Sequence, residues 1–141
     1  MCGVRVQGIK LKFSTWHRWD ERTRIRWVDE PGVYLLALGV KPDEHCDPAD
    51  KRIIYIGETC ATLKRRLNQF NATAFRNSRG HAGGRAYREI IRKPPEKLFV
   101  AACAPQIQKN LERSAFIRFL ERKLILGYVL ANGRLPKCNK E

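Results

Sequence analysis

The chain has 141 residues and carries 28 Lys and Arg against 14 Asp and Glu, a formal net charge of +14. That length suits one domain of roughly 100–200 residues. A hydrophobic fraction of 43% suffices for a core and excludes a wholly disordered chain. No apolar run approaches the roughly 18–20 residues of a membrane span, and the N-terminus lacks a signal-peptide pattern. The five cysteines, Cys2, Cys46, Cys60, Cys103 and Cys138, are odd in number, scattered and without a CxxC pair. They argue against a disulfide framework or a cysteine zinc site, and predict a soluble protein of the reducing cytoplasm.

In chain order, residues 1–30 read as an irregular N-terminal extension packed on a domain formed by residues 31–141. Trp16, Trp19 and Trp27 are interleaved there with His17, Arg18, Arg22, Arg24 and Arg26. Such tryptophans can stack on bases, but covering a core edge is the commoner use and the expected one. Pro31-Gly32 punctuates the chain, and the apolar run from Val33 to Leu38 predicts a buried strand. In the polar loop 41–51, Asp43, Glu44, His45, Cys46 and Asp47 are metal-ligating types. Consecutive loop residues rarely converge on one ion, so no metal is expected there. Arg52 to Gly57 predicts a second strand, antiparallel to the first.

Thr62 suits the N-cap of a helix carrying Leu63, Leu67 and Phe70. A glycine-rich turn from Asn77 to Gly84 leads into a short helix from Arg85 to Arg92, stopped by Pro94-Pro95, and a third strand from Lys97 to Cys103. Between about Gln106 and Leu130, the residues Leu111, Ala115, Phe119, Leu120, Leu124 and Tyr128 recur with helical period and predict one long helix or two abutting ones. The expected architecture is a small single α/β domain, a three-stranded antiparallel sheet flanked by helices.

The charge is concentrated. From Ala61 to Lys93, nine cations (Lys64, Arg65, Arg66, Arg76, Arg79, Arg85, Arg88, Arg92 and Lys93) face the single acid Glu89. Such clustering suits a phosphate backbone, whose condensed counterions are released when Lys and Arg replace them. Lys64, Arg65, Arg76, Arg79, Arg85 and Arg88 are the expected DNA-contacting side chains. No amphipathic helix has the clean basic face a membrane surface would select.

Two tyrosines close matching positions of the first two predicted strands, in Gly32-Val33-Tyr34 and Tyr55-Ile56-Gly57, and antiparallel pairing brings two phenols to one sheet face. With these tripeptides the sequence resembles the GIY-YIG nuclease family, Val33 standing in for isoleucine. Glu58-Thr59 and Leu63-Lys64-Arg65-Arg66-Leu67 are similar to the family's threonine and its Leu-x-x-Arg-Leu helix. Arg66 is the best match for the catalytic arginine, with Arg65 the alternative one residue earlier. Leu120-Glu121, followed by Leu124-Ile125, resembles the metal-binding glutamate and its apolar pair, and Pro136-x-x-Asn139 the closing motif. Phe70 departs from the pattern, since many members carry histidine there; His81 looks like a second histidine position that some members have in the following turn.

The resemblance spans Pro31 to Asn139 and implies a GIY-YIG-like fold and metal-dependent endonucleolytic hydrolysis of DNA. It implies Tyr34 as general base, Tyr55 orienting water or phosphate, Arg66 on the phosphate oxygens, Glu121 holding Mg²⁺ (or Mn²⁺), and His81 and Asn139 at the site. Glu112 is the second choice for the metal. A phenol of pKa about 10 acts as a base near neutrality only if cations lower it, a task expected of Arg66, other arginines and His81. The alternative is a catalytically inactive nucleic-acid-binding module on the same fold, favoured by Phe70. The chain has little room for a separate recognition domain, so a homodimer or a specificity partner is expected as well.

Overall fold

The computed structural model describes residues 3–140, so Cys2 and the extreme ends of the two expected segments lie outside the described residues. The chain runs β1 (Gly3–Val6), β2 (Ile9–Lys12), β3 (His17–Arg18), a 3₁₀ segment (Trp19–Arg24), β4 (Gly32–Leu38), β5 (Ile53–Thr59), α1 (Leu63–Phe75), α2 (Ala82–Ala86) continued by one π turn (Tyr87–Ile91), β6 (Leu98–Cys103) and α3 (Asn110–Asn132). β1 and β2 form a separate hairpin; the main sheet has the order β3-β6-β4-β5, every neighbouring pair antiparallel. Mixed α/β architecture is therefore correct, but the sheet has four strands rather than three. The fourth comes from the stretch expected to be irregular, where His17 and Arg18 pair with Val100 and Phe99.

β4 reads as a continuous apolar run because it is an inner strand covered on both faces. On one face Val33, Leu35, Ala37, Ile56, Ala101 and Cys103 pack under α3 through Ile117, Leu120, Leu124 and Tyr128. On the other, Tyr34, Leu36, Val100 and Ala102 pack under α1 through Leu63, Leu67 and Phe70. Leu36 pairs with Tyr55 and Ala37 with Ile53, leaving Ile54 as a bulge residue that joins the α1-side core.

The N-terminal stretch belongs to the core. Trp16 and Trp19 are buried, one in each apolar layer. The Trp19 indole N–H donates to Asn71 on α1 at 2.8 Å, and the Arg22 guanidinium lies 4.8 Å from the Trp19 ring. Both margins of the sheet are closed by irregular chain. Ser14 exchanges two hydrogen bonds with Ala102 on the β6 side, at 2.8 and 3.0 Å. On the β5 side, Cys138 N–H donates to Ile54, and the Asn139 amide both accepts from Ile56 N–H and donates to Ile56 C=O at 2.9 Å. These contacts cover part of each margin, where an uncovered edge would pair with other chains.

One apolar expectation on α3 is corrected. Leu111, Ala115 and Phe119 lie on the outer face, Leu111 being 85% exposed, while the inward face is carried by Ile117, Leu120, Leu124, Ile125 and Tyr128. Two helical stripes were superimposed in one period. In the 41–51 loop, Glu44 and Asp50 pair with Arg52 at 3.1 and 2.7 Å. Among the described residues no helix is long and apolar enough to cross a membrane.

Asn139 is the tie most open to test. Asn139→Ala removes two hydrogen bonds of about 1 kcal/mol each, so urea denaturation should show a loss of about 2 kcal/mol. Asn139→Asp, which keeps the acceptor and loses the donor, should fall between.

Candidate functional site

The site grows from the register of β4 on β5. Tyr34 lies opposite Gly57 and Leu36 opposite Tyr55, so the two tyrosines are diagonal neighbours on the α1 face, with ring centroids 5.9 Å apart. A Cβ on Gly57 would lie 2.6 Å from the Tyr34 hydroxyl and 2.7 Å from the Tyr55 ring, and one on Gly83 would lie 2.6 Å from Tyr55. Glycine at both positions is the condition for the two phenols to share this space.

Thr62 caps α1 by accepting from Arg65 N–H at 3.1 Å. One turn into that helix Arg66 is half-buried and donates to Gln69 at 3.0 Å. A further turn on, Phe70 is fully buried among the rings of Trp19, Tyr55, Tyr87 and His81, the last edge-on at 5.2 Å. An imidazole reaches this ring cluster from the next segment, as His81. His81 is the N-cap of α2, which begins three residues earlier than the expected Arg85 because the ring does the capping.

The hydrogen bonds of His81 settle its tautomer. Nδ1 accepts from Gly84 N–H at 3.1 Å, so the neutral ring carries its proton on Nε2. Nε2–H then donates to the Tyr34 oxygen, 2.9 Å away. Burial, followed by the nearby Arg66 cation, pushes the His81 pKa down to about 4, so the ring is neutral at physiological pH. Tyr55 and the Arg66 cation also act on the Tyr34 hydroxyl electrostatically. His81, Tyr34 and Tyr55 therefore stand in one row, with Arg66 beside it.

Tyr34 has no exposed surface. Its pKa is raised well above the usual phenol value, by burial first and then by Tyr55, against the opposing effect of Arg66. The expectation that cations would depress it is corrected: loss of water around the phenol outweighs them. Tyr55 is partly exposed; burial also raises its pKa, while Arg66 and the hydrogen bond from Tyr34 oppose the rise.

β5 is the sheet margin, so groups from opposite faces act on one another across it. The Glu121 carboxyl, half-buried on α3, has its pKa raised by burial and by Glu58 at the end of β5, and lowered by Arg122 and Arg66. Glu121 in turn raises Tyr55. Beside this point lies a cleft of about 350 Å³ lined by Glu58, Cys60, Arg65, Arg66 and Gln69.

The expected residues thus divide. Tyr34, Tyr55, Arg66 and His81 converge, and Glu121 faces them electrostatically. Arg66, not Arg65, is the arginine turned inward; Arg65 is exposed. Asn139 is held on both sides of its amide by Ile56, which ties the tail to β5. Glu112 sits exposed in the first turn of α3. Among the expected DNA contacts, Lys64, Arg65, Arg76, Arg79 and Arg85 are exposed, and among the described residues they form no ion pair. Arg88 differs: its guanidinium donates to Thr73 C=O, Asn77 and Ser78 C=O, pinning the end of α1. Sequence reasoning gave no role to Glu58, visible only as the residue after Gly57, or to Gln69, which stands at the i+3 spacing from Arg66.

Compared with known proteins, the chain matches no family model, no curated protein and no solved structure.

The buried neutral histidine has a measurable consequence. An unfolded histidine takes up a proton below pH about 6.5, whereas His81 resists until about 4, so its contribution to stability is complete above 6.5 and is lost as pH falls toward 4. Relative to His81→Gln, the wild type should lose about 3 kcal/mol between pH 7 and 4 in urea denaturation; a constant difference would contradict the assignment. Gly57→Ala should cost about 1–3 kcal/mol by forcing the phenols apart, with a change in near-ultraviolet tyrosine circular dichroism.

Proposed function

We propose that this site hydrolyses phosphodiester bonds in DNA with the help of a divalent cation, as a GIY-YIG-type endonuclease. The observation that carries the proposal is the convergence of Tyr34, Tyr55, Arg66 and His81 from separate segments into one hydrogen-bonded and electrostatically coupled cluster, facing Glu121 and flanked by exposed cations. Structural packing alone seldom gathers two phenols, a neutral imidazole and an arginine at a partly open margin.

The donor set suits a hard cation such as Mg²⁺ or Mn²⁺. Glu121 bears a carboxylate that burial and Glu58 both disfavour, and a cation would relieve both effects. Among the described residues no three His, Cys, Asp or Glu side chains form a ligand cluster; an ion held by Glu121, with Glu58 nearby, would complete its shell with water and phosphate oxygens. When bound, it would supply stabilisation of charge on the scissile phosphate. Arg66, whose planar fork matches two phosphate oxygens, would hold the phosphate in place.

On this reading the general base is Tyr55, not the Tyr34 that the resemblance implies. Tyr34 is fully enclosed, whereas Tyr55 reaches solvent and receives both the Tyr34 hydrogen bond and the field of Arg66. Ionised Tyr55 would take a proton from the attacking water, while His81 and Tyr34 hold its oxygen in position by donating in series. Because both phenol pKa values are raised, cleavage should climb about tenfold per pH unit from 6.5 to 8.5.

Supercoiled plasmid incubated with Mg²⁺ or Mn²⁺ tests the proposal. Nicking should vanish in EDTA and fall at least about 100-fold in Glu121→Gln, Arg66→Ala and Tyr55→Phe. DNA that is bound but never cut under any divalent ion would favour the inactive binding module.

A further inference from the structure

A second cleft lies away from the catalytic cluster, between the N-terminal hairpin and the turn before β4. It has a volume of about 470 Å³ and is lined by Lys10, Lys12, Arg26, Trp27 and Gln106. Its cations are exposed, and among the described residues they form no ion pair. Trp27 differs from the other two tryptophans. Trp16 and Trp19 are 0% and 1% exposed, while Trp27 keeps part of its indole open. Gln106 donates to Ala104 C=O at 3.0 Å, which leaves its amide oxygen to accept from another donor.

The hairpin carries an electrostatic cost that points to a polyanion. β2 alternates Leu11 inward with Lys10 and Lys12 outward, and Arg5 stands directly opposite Lys10 in the register. Like charges facing one another across a strand pair destabilise it; Arg5 also donates to Gly8 C=O in the turn at 3.3 Å, whereas Lys10 and Lys12 stand exposed. Lys64 N–H donates to Val28 C=O at 2.7 Å and Leu63 N–H to Glu30 C=O at 2.9 Å, so the turn bearing Arg26 and Trp27 is fastened to the start of α1.

We propose that this cleft holds an unpaired nucleotide of a DNA strand, its base stacked on Trp27 and its phosphates on Lys10, Lys12 and Arg26. A single indole with cations around it is a stacking platform beside a backbone track, the combination that recognises single strands without reading sequence. A blunt duplex has no free base to offer Trp27, so the chain selects DNA in which a single-stranded tail leaves the duplex. The inference rests on the nucleic-acid reading above but not on turnover.

Binding is measured in EDTA, with a blunt duplex and the same duplex bearing a three-nucleotide tail. Because the other tryptophans are enclosed, quenching of tryptophan fluorescence reports Trp27. The tailed duplex should quench and bind about tenfold tighter than the blunt one. Trp27→Ala should abolish that difference while blunt-duplex affinity stays the same, and Trp27→Phe should restore most of it. Lys10→Gln with Lys12→Gln, a surface change that keeps the indole, should weaken tailed DNA and flatten its salt dependence. Equal binding of blunt and tailed duplexes, or a preference surviving in Trp27→Ala, overturns the proposal, as would an RNA tail that binds more tightly than the DNA tail. Absence of plasmid cleavage with the tail preference intact would sink the nuclease reading alone; cleavage without the preference would sink this one alone.

Discussion

The arrangement depends on one buried hydrogen bond, between the Tyr34 hydroxyl and His81 Nε2 at 2.9 Å. It joins the central strand of the sheet to a turn 47 residues away, and both partners are wholly enclosed. A buried phenol and a buried imidazole are each costly unless hydrogen-bonded, so each supplies what the other requires. The Gly84 N–H completes the set by occupying Nδ1, which makes the imidazole a donor toward Tyr34. The direction of the bond from imidazole to inner phenol follows from that backbone amide. A neutral histidine suits this task, because a second full positive charge beside Arg66 is what the low pKa of His81 excludes.

Much of the fold was legible because its inner strands and first helix obey simple periodicities. Val33 to Leu38 is apolar without alternation and became the doubly covered strand; Thr62 capped the helix it was expected to cap. The N-terminal stretch was not legible. β3 is only two residues long, and its pairing with β6 is a long-range event with no local signature. The outer stripe of α3 misled for a different reason: Leu111, Ala115 and Phe119 recur every four residues on the face opposite Ile117, Leu120, Leu124 and Tyr128, and periodicity reports spacing without saying which face meets the sheet.

The site divides along the same line. Tyr34, Tyr55 and Arg66 could be placed from tripeptides and a helix motif because strand register and helical turn fix their neighbours. The contact of His81 with Tyr34 crosses a turn whose path the sequence does not encode locally. Phe70, which looked like a missing functional group, is the packing partner that holds His81 edge-on. The brace that Asn139 forms on Ile56 was not legible, since its paired bonds to one backbone residue appear only when the tail folds over β5.

The most direct test of this account is the protonation of His81, read by nitrogen-15 NMR through the couplings of both ring nitrogens to the ring carbon-bound protons. The neutral ring with its proton on Nε2, unchanged from pH 7.5 down to about 5, is the predicted result. A proton on Nδ1, or a ring that titrates near pH 6.5, would contradict it. With the proton on Nδ1, His81 would not be a donor toward Tyr34 at all.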